Sequence, residues 1–180
     1  MRERVLNNDL EKLLSDYRTI TGDSATYYNL KEQFGLLRPD SLDISLKDAR
    51  GESTTFNLLM EKYKGSCIYV DFWATWCVPC RALLPNNVKL AKEYHNKNIV
   101  FISLAFNDDE EKWLSFLAEK PELFGAENYF ITNSKSSIAI EKLHIESIPR
   151  YMLFDEKGEI KILNAPRPDT KEIRAIFDRL

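Results

Sequence analysis

No stretch of this chain stays apolar for the roughly 18 residues that a membrane helix requires. The opening MRERVLNNDLEKLL also lacks the continuous apolar core of a secretory leader. An exported protein written without its leader would begin in much the same way, so membrane attachment is expected only through an anchor outside this sequence. Charge of one sign is missing too, since 25 basic and 28 acidic residues spread along the chain leave a net charge of −3. With no polybasic face, neither nucleic acid nor an anionic membrane is an expected partner. Histidine is scarce, and three cysteines are too few for a disulfide framework, so any two of them point to a redox or metal pair. Internal repeats and low-complexity segments are absent. What remains is 180 residues, 44% apolar and 29% charged, enough to build the core of one domain with attachments.

Leu6, Leu10, Leu13, Leu14 and Tyr17 recur at helical spacing, and Tyr27, Leu30 and Phe34 do so again before Gly35, so residues 1–35 read as two helices. GLLRPDS breaks that pattern, because Pro39 restricts Arg38 and the Asp40–Ser41 pair favours a turn. The domain boundary is placed there, dividing 1–37 from 38–180. LDISLKDARGESTTFNLL alternates through Leu42, Ile44 and Leu46, turns at DARG and resumes through Thr54 and Phe56, a β-hairpin followed by a short helix over 57–63. CIYVDFW and IVFISLAF are apolar enough to be buried strands, and the helical stretch between them, running from the cysteines to about His95, makes a βαβ unit. DDEEKWLSFLAEK reads as a helix with acidic residues in its first turn, and NYFI as a short strand. A helix in SKSSIAIEKL, a PRYMLFD strand, a turn at EKGE, an IKIL partner strand and a last helix over 170–180 capped near Asp169 complete the chain. The expected fold class is a three-layer α/β/α sandwich around a mixed sheet, with an N-terminal β-hairpin and N-terminal helices.

The cysteines of VDFWATWCVPCRALLP sit where the first strand of that unit meets its helix. A Cys-x-x-Cys there sets Cys77 beside the free N–H groups and partial positive charge of a helix start, which stabilises a thiolate and makes Cys77 an exposed nucleophile. Cys80, one turn on, is close enough to close a disulfide with it. Pro79 falls in the first turn, where a missing N–H costs little, and it stiffens the spacing of the two sulfurs. Zinc would need two further ligands, which His95 and His144 are too distant in sequence to supply, and no metal is expected. Haem attachment would need a histidine directly after the pair, where Arg81 stands.

VDFWATWCVPC resembles the active-site segment of the thioredoxin superfamily, and the resemblance extends to Pro85 and to SIPRYMLFD, where Pro149 matches that family's cis-proline. The hairpin, the extra helix and strand before SIPRY, and APRPDT near the end look most like TlpA-like thiol–disulfide oxidoreductases of the Bacteroidetes type. The resemblance covers about residues 38–180; the helices of 1–35 lie outside it and could be the tail of an upstream domain. It implies a thioredoxin-like fold and thiol–disulfide exchange with protein disulfides, most often as a reductase, with no bound cofactor and an upstream thiol as electron donor. It also implies a cell-envelope or periplasmic setting, the cytoplasm being the alternative. By matching positions, Cys77 is the attacking thiol, Cys80 the resolving thiol, and Asp71 the buried carboxylate that exchanges a proton with Cys80. Trp76, Val78, Pro79, Ile148 and Pro149 form the substrate surface, with the Ile148–Pro149 bond cis and the Ile148 backbone meeting an extended peptide.

Alternatives stand beside these roles. Asp71 could be a strand-end carboxylate paired to something else, and Trp73 plain core filling. Cys67 reads most simply as a small core residue, with a regulatory thiol as its rival. Two positions depart from the family pattern: Leu83 stands where many TlpA-like reductases carry an acidic residue, and FISLAFN lacks the lysine that thioredoxins hold near the buried aspartate. The competing functions are a thiol peroxidase of the same fold, whose Pro-x-x-x-Thr-x-x-Cys context is missing from DFWATWC, and a non-catalytic module that holds extended peptides beside Pro149.

Overall fold

The computed structural model describes residues 2–21, 26, 27, 30, 43–125 and 127–180. Its contacts divide the chain into two units, 1–42 and 43–180. In the first, α1 (Arg2–Thr21) is a single long helix, and the Arg18 guanidinium lies 5.2 Å from the centre of the Tyr27 ring. Thr26, Tyr27 and Leu30 are helical, in line with a second helix, whereas Phe34, Gly35 and the expected boundary at Pro39 lie outside the described residues. Among the described residues no helix is long and apolar enough to cross a membrane.

The second unit is built on one seven-stranded sheet. The hairpin of β1 (Ser45–Asp48) and β2 (Ser53–Thr55) turns where the Asp48 carboxylate accepts the N–H groups of Arg50 and Glu52, with Gly51 at φ +86°. Helix α2 (Phe56–Lys62) follows, starting one residue earlier than the sequence suggests because the Thr55 hydroxyl accepts the Leu58 N–H as its N-cap. Next come β3 (Cys67–Trp73), α3 (Val78–Glu93), β4 (Ile99–Ala105) and α4 (Glu110–Glu119). A 3-10 turn over Pro121–Leu123, not foreseen from sequence, leads to β5 (Asn128–Ile131) and α5 (Ile138–Lys142). The chain closes with β6 (Arg150–Phe154), β7 (Ile160–Ile162) and α6 (Lys171–Phe177). The last helix is capped near Asp169 as expected: Thr170 is the N-cap, its hydroxyl accepting the Ile173 N–H, while Asp169 pairs with Arg167.

The strands lie in the order β2-β1-β5-β4-β3-β6-β7; β3, β4 and β5 run parallel, and β1, β2, β6 and β7 join by antiparallel pairs, so the sheet is mixed. Every residue of β3 is buried because helices cover both faces, which is why it reads as a continuous apolar run. Ile68, Val70 and Phe72 pack with Leu46, Phe56, Leu59 and Ile140 on one face. Tyr69 packs with Leu83, Leu90, Ile173 and Phe177 on the other, under α3 and α6. This is the expected three-layer α/β sandwich, and it delivers the carboxyl end of β3, an interior strand, to the start of α3.

Candidate active site

Cys77 is the N-cap of α3, with φ −81° and ψ 97°, and its Sγ accepts the N–H of Cys80 at 3.2 Å. The two cysteines are joined by a disulfide, their Cα atoms 5.3 Å apart. The first turn of α3 carries no acidic residue, so nothing offsets the positive end of its dipole at the sulfur. Val78 and Pro79 are the first helical residues, where proline loses no helical hydrogen bond. The expected exposure of Cys77 is corrected: it is 3% exposed and Cys80 1%, because both pack in a cluster with Trp73, Ala74, Leu84 and Ala105. Exposure falls instead on Trp76, at 57%, and Val78, at 65%, with Pro79 also at the surface. Trp73 is wholly buried against Phe116 and Phe124, filling core and flanking the disulfide cluster at once.

The Ile148–Pro149 bond is cis. Ile148 packs against the cluster that contains Cys77 and Cys80, which brings the segment before β6 beside the disulfide. The loop after β4 clamps the turn before Cys77: the Asp108 carboxylate accepts the Thr75 hydroxyl at 2.7 Å and the Thr75 N–H at 2.5 Å. The Trp76 indole N–H donates to the carbonyl of Asn107 at 3.0 Å, and Asn107 adopts φ +51°. An open groove of about 520 Å³ runs from Trp76 and Arg81 to Lys112 and Phe116 on α4. Sequence reasoning missed Thr75, Asn107 and Asp108. The signal was the NDD run between strand and helix, since Asn and Asp tolerate positive φ and accept backbone N–H groups.

Asp71 lies on the same face of β3 as Tyr69 and Trp73, buried beneath α3. Its Oδ2 accepts the Nδ2–H of Asn87 at 3.2 Å, and its Oδ1 has no hydrogen-bond partner. Burial pushes the carboxyl up to about 8, against the pull of Asn87 and Tyr151 toward the ionised form. Asn87 was also unforeseen, though an asparagine between Leu83, Leu84 and Leu90 on the apolar face of a helix was the available clue. Leu83 is buried in the α3 and α6 core, and Cys67 lies in the same cluster as a free thiol pushed up by burial. Among the described residues no group of three or more His, Cys, Asp or Glu side chains is arranged to hold a metal.

Residues 38–177 match the Redoxin family. The chain belongs to that family. This redoxin is similar to the thioredoxin-like protein YneN of Bacillus subtilis, with 31% identity over 137 residues, 76% of this chain and 75% of that protein. It is also similar to the thiol-disulfide oxidoreductase ResA of Halalkalibacterium halodurans, with 27% identity over 120 residues, 67% of this chain but 63% of ResA. Among solved structures, a protein from Bacteroides vulgatus described as a candidate thiol-disulfide oxidoreductase superposes with TM-score 0.63 at 30% identity, covering 77% of this chain and 92% of that one. The redoxin is thus a TlpA-like member of the thioredoxin superfamily, and its activity is thiol–disulfide oxidoreduction.

Proposed function

We propose that the Cys-Val-Pro-Cys segment is the redox centre, exchanging electrons with protein disulfides through Cys77 and Cys80 without a bound cofactor, and that it works as a reductase. The observation that carries this reading is the N-cap position of Cys77, whose sulfur already accepts a backbone N–H at the positive end of α3. On reduction the same donor would bond a thiolate, a stronger interaction than with a neutral sulfur, and would hold the nucleophile charged near neutral pH.

In the forward reaction the Cys77 thiolate attacks one sulfur of a substrate disulfide, and the other sulfur leaves as thiolate. Asp71 takes the proton of Cys80, the Cys80 thiolate attacks Sγ of Cys77, and the second substrate thiolate departs. The substrate gains two electrons and the pair returns to its disulfide, to be reduced again by an upstream thiol donor. Trp76, Val78 and Pro79 on one side and Ile148 with Pro149 on the other form the surface an extended substrate lies across. The reductase direction and an envelope location rest on similarity to TlpA-like proteins, and fractionation of the source cell tests the location.

Trapping tests the roles. A Cys80→Ala variant is expected to accumulate as thiol-sensitive covalent adducts with its partners, whereas Cys77→Ala traps little. Equal trapping through either cysteine overturns the assignment, and no trapping by a folded Cys80→Ala protein favours a non-catalytic peptide-binding module. Equilibration with glutathione tests direction: a reductase gives a potential nearer −270 than −120 mV, roughly the limits known for this fold.

A further inference from the structure

Asp71, Asn87 and Tyr151 come from three elements, β3, α3 and β6, and converge in the layer between sheet and helix. Their exposures are 2%, 8% and 2%. Asn87 donates to Asp71 Oδ2, and Tyr151 stands directly opposite Asp71 in the β3–β6 ladder, its hydroxyl favouring the ionised carboxylate. Three polar atoms of this group make no hydrogen bond: Asp71 Oδ1, Asn87 Oδ1 and the Tyr151 hydroxyl. Buried polar atoms are rarely left so, because each forfeits its bonds to water. Here the spare capacity is complementary, since an amide and a phenol each donate and accept, whereas the lysine that thioredoxins use can only donate.

Resting on the reading of Asp71 as proton acceptor for Cys80, we infer that Asn87 and Tyr151 are positioning residues that hold Asp71 in an arrangement serving both its ionised and its protonated form. With the carboxylate ionised, the Asn87 amide N–H and the Tyr151 O–H are both available as donors to it. Once Asp71 holds the proton from Cys80, its own O–H needs an acceptor, which the Asn87 carbonyl supplies after a half-turn of the amide. In that step the S–S bond between Cys77 and the substrate breaks, the Cys77–Cys80 bond forms, and the proton of Cys80 ends on Asp71. No further reactant is required, and Asp71 returns the proton to solvent before the next cycle. Burial keeps Tyr151 protonated, so it remains a donor throughout. The titratable groups facing this layer are Tyr69 from β3, Tyr151 from β6, and Asp169 with Arg167 from the segment before α6, the last two acting on the tyrosines. In register beside Asp71, β4 contributes Ser103, and α3 contributes Asn87, neither of which titrates here.

The test is the pH dependence of the second exchange step, read by stopped flow as release of thionitrobenzoate from its adduct on Cys77. The wild-type rate is expected to rise with a midpoint near 8. Asn87→Leu removes the donor bonded to Asp71 Oδ2, and Tyr151→Phe removes the hydroxyl that turns toward the carboxylate when it ionises; each is expected to raise the midpoint by about one unit. Both variants are then about tenfold slower at pH 7 and converge on wild type at high pH, which loss of packing alone does not produce. Tyr69→Phe, which loses a bond to the Pro166 carbonyl in the same layer, is expected to leave the midpoint in place. Tyr151→Phe keeps its ring, so it remains informative if Asn87→Leu does not fold. If Asp71→Asn flattens the profile while neither variant moves the midpoint, the inference is wrong and the role of Asp71 stands. If Asp71→Asn leaves the profile unchanged, the role of Asp71 fails and takes the inference with it.

Discussion

A carboxyl pushed up to about 8 from an ordinary 3.8 makes Asp71 a cost to folding whenever it is ionised. Between those two values the folded chain holds a proton that the unfolded chain has released, so stability declines as pH rises from about 4 to about 8 and is level on either side. By pH 7 that decline amounts to about 4 kcal/mol. Asp71→Asn keeps the shape and one hydrogen bond without the charge, so its melting temperature is expected to exceed wild type at pH 8 and to match it near pH 4. Equal pH dependence in the two proteins, measured by thermal melts across that range, would sink the assignment. Burial among Tyr69, Leu90 and Leu153 likewise pushes up the Cys67 thiol, which lies on β3 and is protonated at neutral pH in any case. Cys67→Ala is expected to cost about 1 kcal/mol in a urea titration. It should leave dithiothreitol-driven insulin reduction intact, whereas Cys77→Ser abolishes it.

The elements that frame the disulfide, β3 and α3, are held in place by contacts the sequence displays unequally. CIYVDFW and the helix after it are legible because a wholly buried strand and a helix-starting Cys-x-x-Cys carry their own local pattern. Asn87 and Asp71 are 16 residues apart, and Thr75 and Asp108 are 33 apart. Neither pair is legible, because both depend on strand register and loop path rather than on any period. The cap of the last helix was legible only as lying near Asp169, since Asp169 and Thr170 can each accept a backbone N–H and only the path of the chain decides between them. The Asp108 clamp carries the heaviest duty among these missed contacts, as one carboxylate satisfies two donors of Thr75 in the turn that leads into Cys77. Asp108→Ala is expected to destabilise the protein by about 2 kcal/mol. It should also shift the fluorescence of Trp76, whose indole bonds the neighbouring Asn107 carbonyl, and lower insulin reduction severalfold. An unchanged Trp76 spectrum in a folded variant would mean that the turn keeps its shape without the clamp.

At the scale of the molecule, the sheet order puts β3 between β4 and β6, so the active-site strand is flanked by a parallel and an antiparallel neighbour and covered on both faces. Residues 43–180 hold two apolar layers, one around Val70 and Phe72 and one around Tyr69 and Phe177. The disulfide, Asp71, Asn87, Tyr151 and Pro149 all belong to that unit. Because the family match spans 38–177 and the site lies within one compact unit, we propose that the boundary read at GLLRPDS separates a self-sufficient oxidoreductase domain, 38–180, from an N-terminal segment, 1–37, that the exchange chemistry does not use. A fragment of residues 38–180 is expected to fold alone, to melt cooperatively within a few degrees of the full chain, and to reduce insulin at the same rate per molecule. A fragment that folds but reduces insulin more slowly would show that the helical segment contributes to substrate capture. One that fails to fold would show that the core needs the helices, and the boundary would have to be withdrawn.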